Sequence, residues 1–188
     1  MRTLLTRPTR DAQSRWALDP DFSAVEFTVP HLGIGYLRGR FHDVALQFDF
    51  TMEAPGAARL ELCIGPESIG SGTHAWVPLA ADVFSVGGFG AIRFTGHTAE
   101  PIGPRRLALH GELAIRGAAL PATMELVLRG EATDCDGVHR LGLGGSLVFS
   151  RRAFGIRWSE PQDAALGDEM RIAIDAELVR AEEPPSAA

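Results

Sequence analysis

Apolar and polar residues alternate with a period of two along most of this chain, from Phe22 to Val179, and no window of helical length carries an i, i+3, i+4 apolar stripe. Val25, Phe27 and Val29 fall on one face against Ala24, Glu26 and Thr28, and a glycine-rich stretch leads into a second strand over Ile34–Phe41. Val44, Leu46, Phe48 and Phe50 continue the pattern after a His42-Asp43 turn, until Pro55-Gly56 closes the element. Leu60, Leu62 and Ile64 form another strand, and Ile92 and Phe94 open the next. Leu107, Leu109, Leu113 and Ile115 make a long one, and Met124, Leu126 and Leu128 follow across the Arg116–Pro121 turn. His139–Phe149 and Met170–Val179 complete the series. The long stretch Glu67–Gly90, rich in glycine and aromatic residues, has room for one short helix around Pro78–Phe84.

The pattern predicts an all-β domain of about eight antiparallel strands over residues 16–180, with disordered tails at 1–15 and 181–188. Sandwiches and barrels bury one strand face in the same way, so periodicity leaves both open. The strands are long for a small sandwich, and eight strands close into a barrel just wide enough for side chains or one small ligand. A barrel is therefore expected. A chain of 188 residues is long enough for one such core.

Charge narrows the functions. A net charge of −6 speaks against nucleic acid, which demands a basic face. All eighteen basic residues are arginines, which excludes Schiff-base lysine chemistry and a P-loop. Cys63 and Cys135 form no CxxC pair, and the first fifteen residues have only Leu4-Leu5 as an apolar pair, too little for a signal-peptide core. The expectation is a cytoplasmic chain with reduced thiols, and no apolar run reaches the length of a membrane span.

Catalytic motifs are scarce. Gly70–Ala75 fits GxGxxA but precedes Trp76-Val77-Pro78 in a β-rich chain, where no helix follows to receive a pyrophosphate. GxSxG and HExxH are absent, and the six histidines are scattered without close metal-ligand spacing. Glu160, Asp163, Asp168 and Glu169 read as a solvated charge cluster in a Pro/Gly loop. His31, beside Pro30 and Gly33, reads as a turn cap or a polar contact near a barrel mouth. No catalytic residue and no metal site is assigned, and no cofactor is required.

Six collinear blocks resemble the YceI-like, polyisoprenoid-binding family. They are Trp16–Pro20 with Ser23, Val25, Phe27, Val29, His31-Leu32-Gly33 and Gly39-Arg40-Phe41; Ser68-Ile69; Asp82–Val86 running to Ile92-Arg93-Phe94; Gly111–Gly117 through Pro121; Arg151 with Phe154-Gly155-Ile156; and Gly167–Met170. The family usually has His at Phe22, Asp at Ser85 and Ala153, Pro at Gly90, and Thr at Ala114 and Ala119. The resemblance implies a lipocalin-like extended antiparallel barrel whose pore takes an isoprenoid quinone, a prenyl lipid or a similar long apolar ligand without catalysis. It also implies chains that are often exported and often homodimeric.

On that reading the inward strand phase offers Phe27, Tyr36, Leu46, Phe48, Leu62, Phe94, Leu109, Leu113, Met124, Leu126 and Ile172 as pore residues, with Phe84, Phe89 and Trp158 at the loop end. His31 and Arg38 are the candidate head-group contacts. The rival readings are a lipid-modifying barrel enzyme with a buried acid or histidine, and an interaction module whose pore is filled by side chains.

Overall fold

The order of strand pairing closes on itself. A computed structural model describes residues 14–70 and 90–181, in which eleven strands form one antiparallel sheet: β1 (Ser14–Leu18), β2 (Ala24–His31), β3 (Gly35–Phe41), β4 (Val44–Phe50), β5 (Arg59–Ile64), β6 (Ile69–Gly70), β7 (Ile92–Gly103), β8 (Arg106–Ile115), β9 (Ala118–Thr133), β10 (His139–Ser150) and β11 (Glu169–Arg180). Eight of them run β1-β4-β5-β7-β8-β9-β10-β11 and close through a β1–β11 pairing. The result is the closed eight-stranded antiparallel barrel that the sequence pattern predicts. From β11 the sheet also branches to β2, β3 and β6.

The branch arises because β1 and β2 share one edge of β11. β1 pairs with Leu178–Arg180 and β2 with Arg171–Asp175. A 3-10 turn over Pro20–Phe22 separates them, where proline removes a ladder donor and the Asp19 carboxylate accepts from the Asp21 amide. Phe22 is thereby placed in the turn, exposed, under the Arg140 guanidinium at 4.8 Å. Arg140 also binds Asp19 at 2.6 Å and Asp134 at 2.8 Å, tying this turn to the β9–β10 connection at the end of the barrel called lower here.

The upper end carries the β2–β3 and β8–β9 turns and the connection from β10 to β11. At this end β3 has a partner on its second edge only at Arg40 and Phe41, through β6, so among the described residues its edge from Gly35 to Gly39 is unpaired. The proposed helix at Pro78–Phe84 lies outside the described residues. A short α-helix is instead found at Glu160–Ala165, inside the segment read from sequence as a charged loop. Ser159 followed by Glu160-Pro161 is a helix-start signal that supports it. β1 takes in Ser14 and Arg15, which the sequence pattern assigned to the tail; Arg15 is held there by Asp49 at 2.9 Å.

Candidate functional site

The inward positions of the strands form continuous apolar rungs. One rung crosses Leu46, Leu62, Phe94, Leu113 and Leu120 on β4, β5, β7, β8 and β9. Another crosses Leu109, Met124, Leu147, Ile172, Phe27 and Gly39 on β8 to β11, β2 and β3. Glycine ends that rung because the Phe27 ring occupies the space: a Cβ on Gly39 would lie 2.3 Å from Phe27 Cε1. Ten of the pore residues chosen by strand phase (Phe27, Leu46, Phe48, Leu62, Phe94, Leu109, Leu113, Met124, Leu126 and Ile172) sit in this buried inner layer.

The interior is not equally filled along its length. Phe48, Leu60, Phe94, Leu109, Leu113, Met124, Leu126 and Leu147 have no accessible surface, so no void as large as a water molecule touches them. Phe48 and Phe50 stack at 5.2 Å and help to plug the lower half. At the upper end Ile64, Ile92, Ile115 and Met170 stay buried, and the inner layer loosens on one side only. On β9 the burial falls from Met124 to Ala122, Leu120 and Ala118, all half-buried, and Leu37 and Trp158 are half-buried against the same core. These half-buried residues mark the accessible side of the upper end, called the mouth here.

The upper end is organised by Arg151, which is 0 % exposed. Its Nε donates to the Gly167 carbonyl at 2.8 Å, Nη1 to the Ile156 carbonyl at 3.0 Å and Asp163 Oδ1 at 2.5 Å, and Nη2 to the Asp163 and Leu166 carbonyls at 3.2 and 3.1 Å. All five guanidinium N–H groups are satisfied. The Trp158 ring covers the cation at 5.1 Å. This one side chain folds the connection from β10 to β11 onto the barrel end. Hydrogen bonding to Arg151 holds the Asp163 carboxyl below the usual carboxylate range, and the Ser150 hydroxyl, donating at 2.7 Å, does the same for Asp168. The two aspartates are therefore structural partners of the cap, which corrects their reading as solvated charge. Sequence reasoning found Arg151 only as one letter of a family block.

Four other expected site residues are repositioned or lie outside the described residues. Tyr36 and Arg38, expected at the pore and its mouth, both lie on the outer phase of β3, with Tyr36 59 % exposed and the Arg38 guanidinium 5.6 Å from its ring. The register with β2 sets that phase, since Gly35, Leu37, Gly39 and Phe41 take the inward positions. His31 ends β2, half-buried, where its backbone bridges to Leu166. Phe84 and Phe89 lie outside the described residues. Trp158 is half-buried at the upper end, and its indole N–H is buried with no acceptor among the described residues. No group of His, Cys, Asp and Glu among those residues is arranged to hold a metal, and no described helix is long and apolar enough to cross a membrane.

Comparison with known proteins agrees with this architecture. The YceI-like domain family matches residues 16–178. A UPF0312 protein of Shewanella baltica (strain OS185) is 30% identical over 138 residues, 72% of each chain, and one from Shewanella putrefaciens is 27% identical over 158 residues, 81% of this chain and 82% of the relative. Among solved structures, Burkholderia cenocepacia BcnA superposes with a TM-score of 0.74 at 20% identity, covering 87% of this chain and 99% of that one. A polyisoprenoid binding domain from Saccharophagus degradans, implicated in plant cell wall breakdown, gives 0.66 at 12% identity, covering 89% and 98%. At those identities the two structures speak to the fold.

Proposed function

This chain belongs to the YceI-like family, and from that membership we propose that it binds one long apolar ligand of the polyisoprenoid class, such as a prenyl lipid or isoprenoid quinone, and that it does so without catalysis. The observation that carries the reading is the uninterrupted apolar inner layer, which ends at the upper mouth in the half-buried Leu37, Ala118, Leu120, Ala122 and Trp158. A prenyl chain threaded there leaves water at about 25 cal/mol per Å² of apolar surface, so a few hundred Å² gives several kcal/mol before ordering costs. No charged residue is needed for that affinity. The unpartnered Trp158 indole N–H offers one donor to a quinone or phosphate oxygen. The Saccharophagus relative's polyisoprenoid binding supports the ligand class.

The packed interior favours a second reading, an interaction module whose barrel is filled. Under the ligand reading, a chain enters from above and displaces inner side chains, of which Met124, unbranched and flexible, yields most easily. An enzyme needs an acid or base tuned for proton transfer. Asp134, Asp163 and Asp168 are instead held toward the ionised form by hydrogen bonds within the fold.

Native mass spectrometry of the full chain, mixed with isoprenoid quinones and prenyl phosphates of graded length, tests the choice. We expect one ligand per chain and at least about ten-fold weaker binding in Leu120→Trp, whose larger ring fills the mouth. A wild-type chain that stays empty at saturating ligand, with its fold intact, would establish the filled module instead.

A further inference from the structure

The turn between β2 and β3 is built against its own local preference. Leu32 and Gly33 both have positive φ, +53° and +69°, and the Ile34 amide donates to the His31 carbonyl at 3.2 Å. Two successive left-handed residues stand at the centre of this turn, where Asn, Asp or Gly is the suited residue. A leucine there costs backbone energy, and the surrounding contacts hold it in place: the Leu32 amide donates to the Ala165 carbonyl at 2.7 Å, and His31 bridges to Leu166. The side chain gains little burial in return. Leu32 is 60 % exposed and Ile34 89 %. Strain kept for so little packing gain points to a use for the side chain itself.

The surroundings indicate which use. Tyr36 follows on the same exposed end with Arg38 over its ring, and from Phe27 to His42 the chain carries Arg38 and Arg40 but no Asp or Glu, although the whole protein has a net charge of −6. Apolar side chains at a tip, an aromatic behind them and arginines next in line match the layers of a bilayer surface: acyl chains, the interfacial zone and lipid phosphate. Three side chains are too few for the roughly 800 Å² per partner that a stable protein interface buries. The tip also stands at the upper end, beside the loosened apolar mouth.

We propose that the β2–β3 tip docks the upper mouth of the barrel onto an anionic lipid bilayer, with Leu32 and Ile34 entering the acyl boundary and Arg38 meeting lipid phosphate. The proposal rests on the reading of the barrel as a binder of membrane-derived lipid. Docking places the mouth where such a ligand resides.

The test is co-sedimentation of the full chain with phosphatidylcholine vesicles and with vesicles containing phosphatidylglycerol. The wild type is expected to bind the anionic vesicles, and Leu32→Asn/Ile34→Asp to lower partitioning at least about ten-fold. Arg38→Glu should remove the preference for anionic lipid, and Val127→Asp on the outer face of β9 should change nothing. Leu32→Asn alone separates a docking role from a structural one, because asparagine suits the turn: it should raise thermal stability while weakening vesicle binding. A wild type that ignores both vesicles, a double variant that binds like wild type, or a dimer that the tip substitutions dissolve would each overturn the proposal, the last in favour of a second copy as partner. Uptake of a soluble two-isoprene quinone, read by native mass spectrometry, keeps the two claims apart. Lost docking with intact uptake refutes the surface alone, and lost uptake refutes the ligand reading.

Discussion

Arg151 shows what holds a charge inside this barrel end. Its five donors meet one carboxylate and four carbonyls drawn from Ile156 to Gly167, so substitution leaves several acceptors buried and unpaired. Arg151→Met should therefore cost about 3–5 kcal/mol in urea unfolding. Arg151→Lys should recover little, since an ammonium has fewer donors and none in a planar fork. The same cap sets an acid limit. Asp163 and Asp168 have folded-state proton affinities below their unfolded values, so their stabilisation is complete above about pH 4, the ordinary carboxylate range, and is lost as the pH falls through the lower folded values. Urea midpoints taken from pH 7 down to pH 3 should fall in that window, with a shallower fall in Asp163→Asn. None of this was legible as periodicity, because the acceptors lie in a loop and are gathered by three-dimensional closure.

Among the elements, legibility followed contrast. β4, β5, β8 and β11 alternate large apolar with polar or small residues, and the sequence located them with their inner faces. The first half of β9 was missed because Ala118-Ala119-Leu120-Pro121-Ala122 offers little contrast between faces. β3 misled for a related reason: two of its inward positions are glycines, so Tyr36 and Arg38 appeared to point inward, whereas the pairing of Phe27 with Gly39 turns them out. That pairing is itself testable. Gly39→Val forces a Cβ into the Phe27 ring, which is buried and cannot swing freely, and should destabilise by about 1–3 kcal/mol. Combining it with Phe27→Ala should cost less than the sum of the two single changes, a coupling that a double-mutant cycle reads directly. Additive effects would show that the ring and the glycine do not share the space.

At the scale of the whole molecule, the sequence conveyed the closed barrel and the family, because collinear blocks spread over residues 16–178 constrain topology more than any single motif does. It could not convey how full the barrel is, since strand phase marks a side chain as inward without saying whether it lines a space or fills one. The fold shows an interior packed by Phe48, Phe94 and Leu109 that relaxes at the upper end only toward Leu120 and Leu37. A ligand that enters from above must therefore perturb the mouth first and the packed layer next. Methyl-resolved NMR during titration with an isoprenoid quinone measures this most directly. A chain entering from above should give saturable shifts at Leu37 and Leu120, extending to Leu113 and Met124, with the outward Val127 and Val148 unmoved. Shifts confined to those outer valines, or none at saturating quinone, would contradict it.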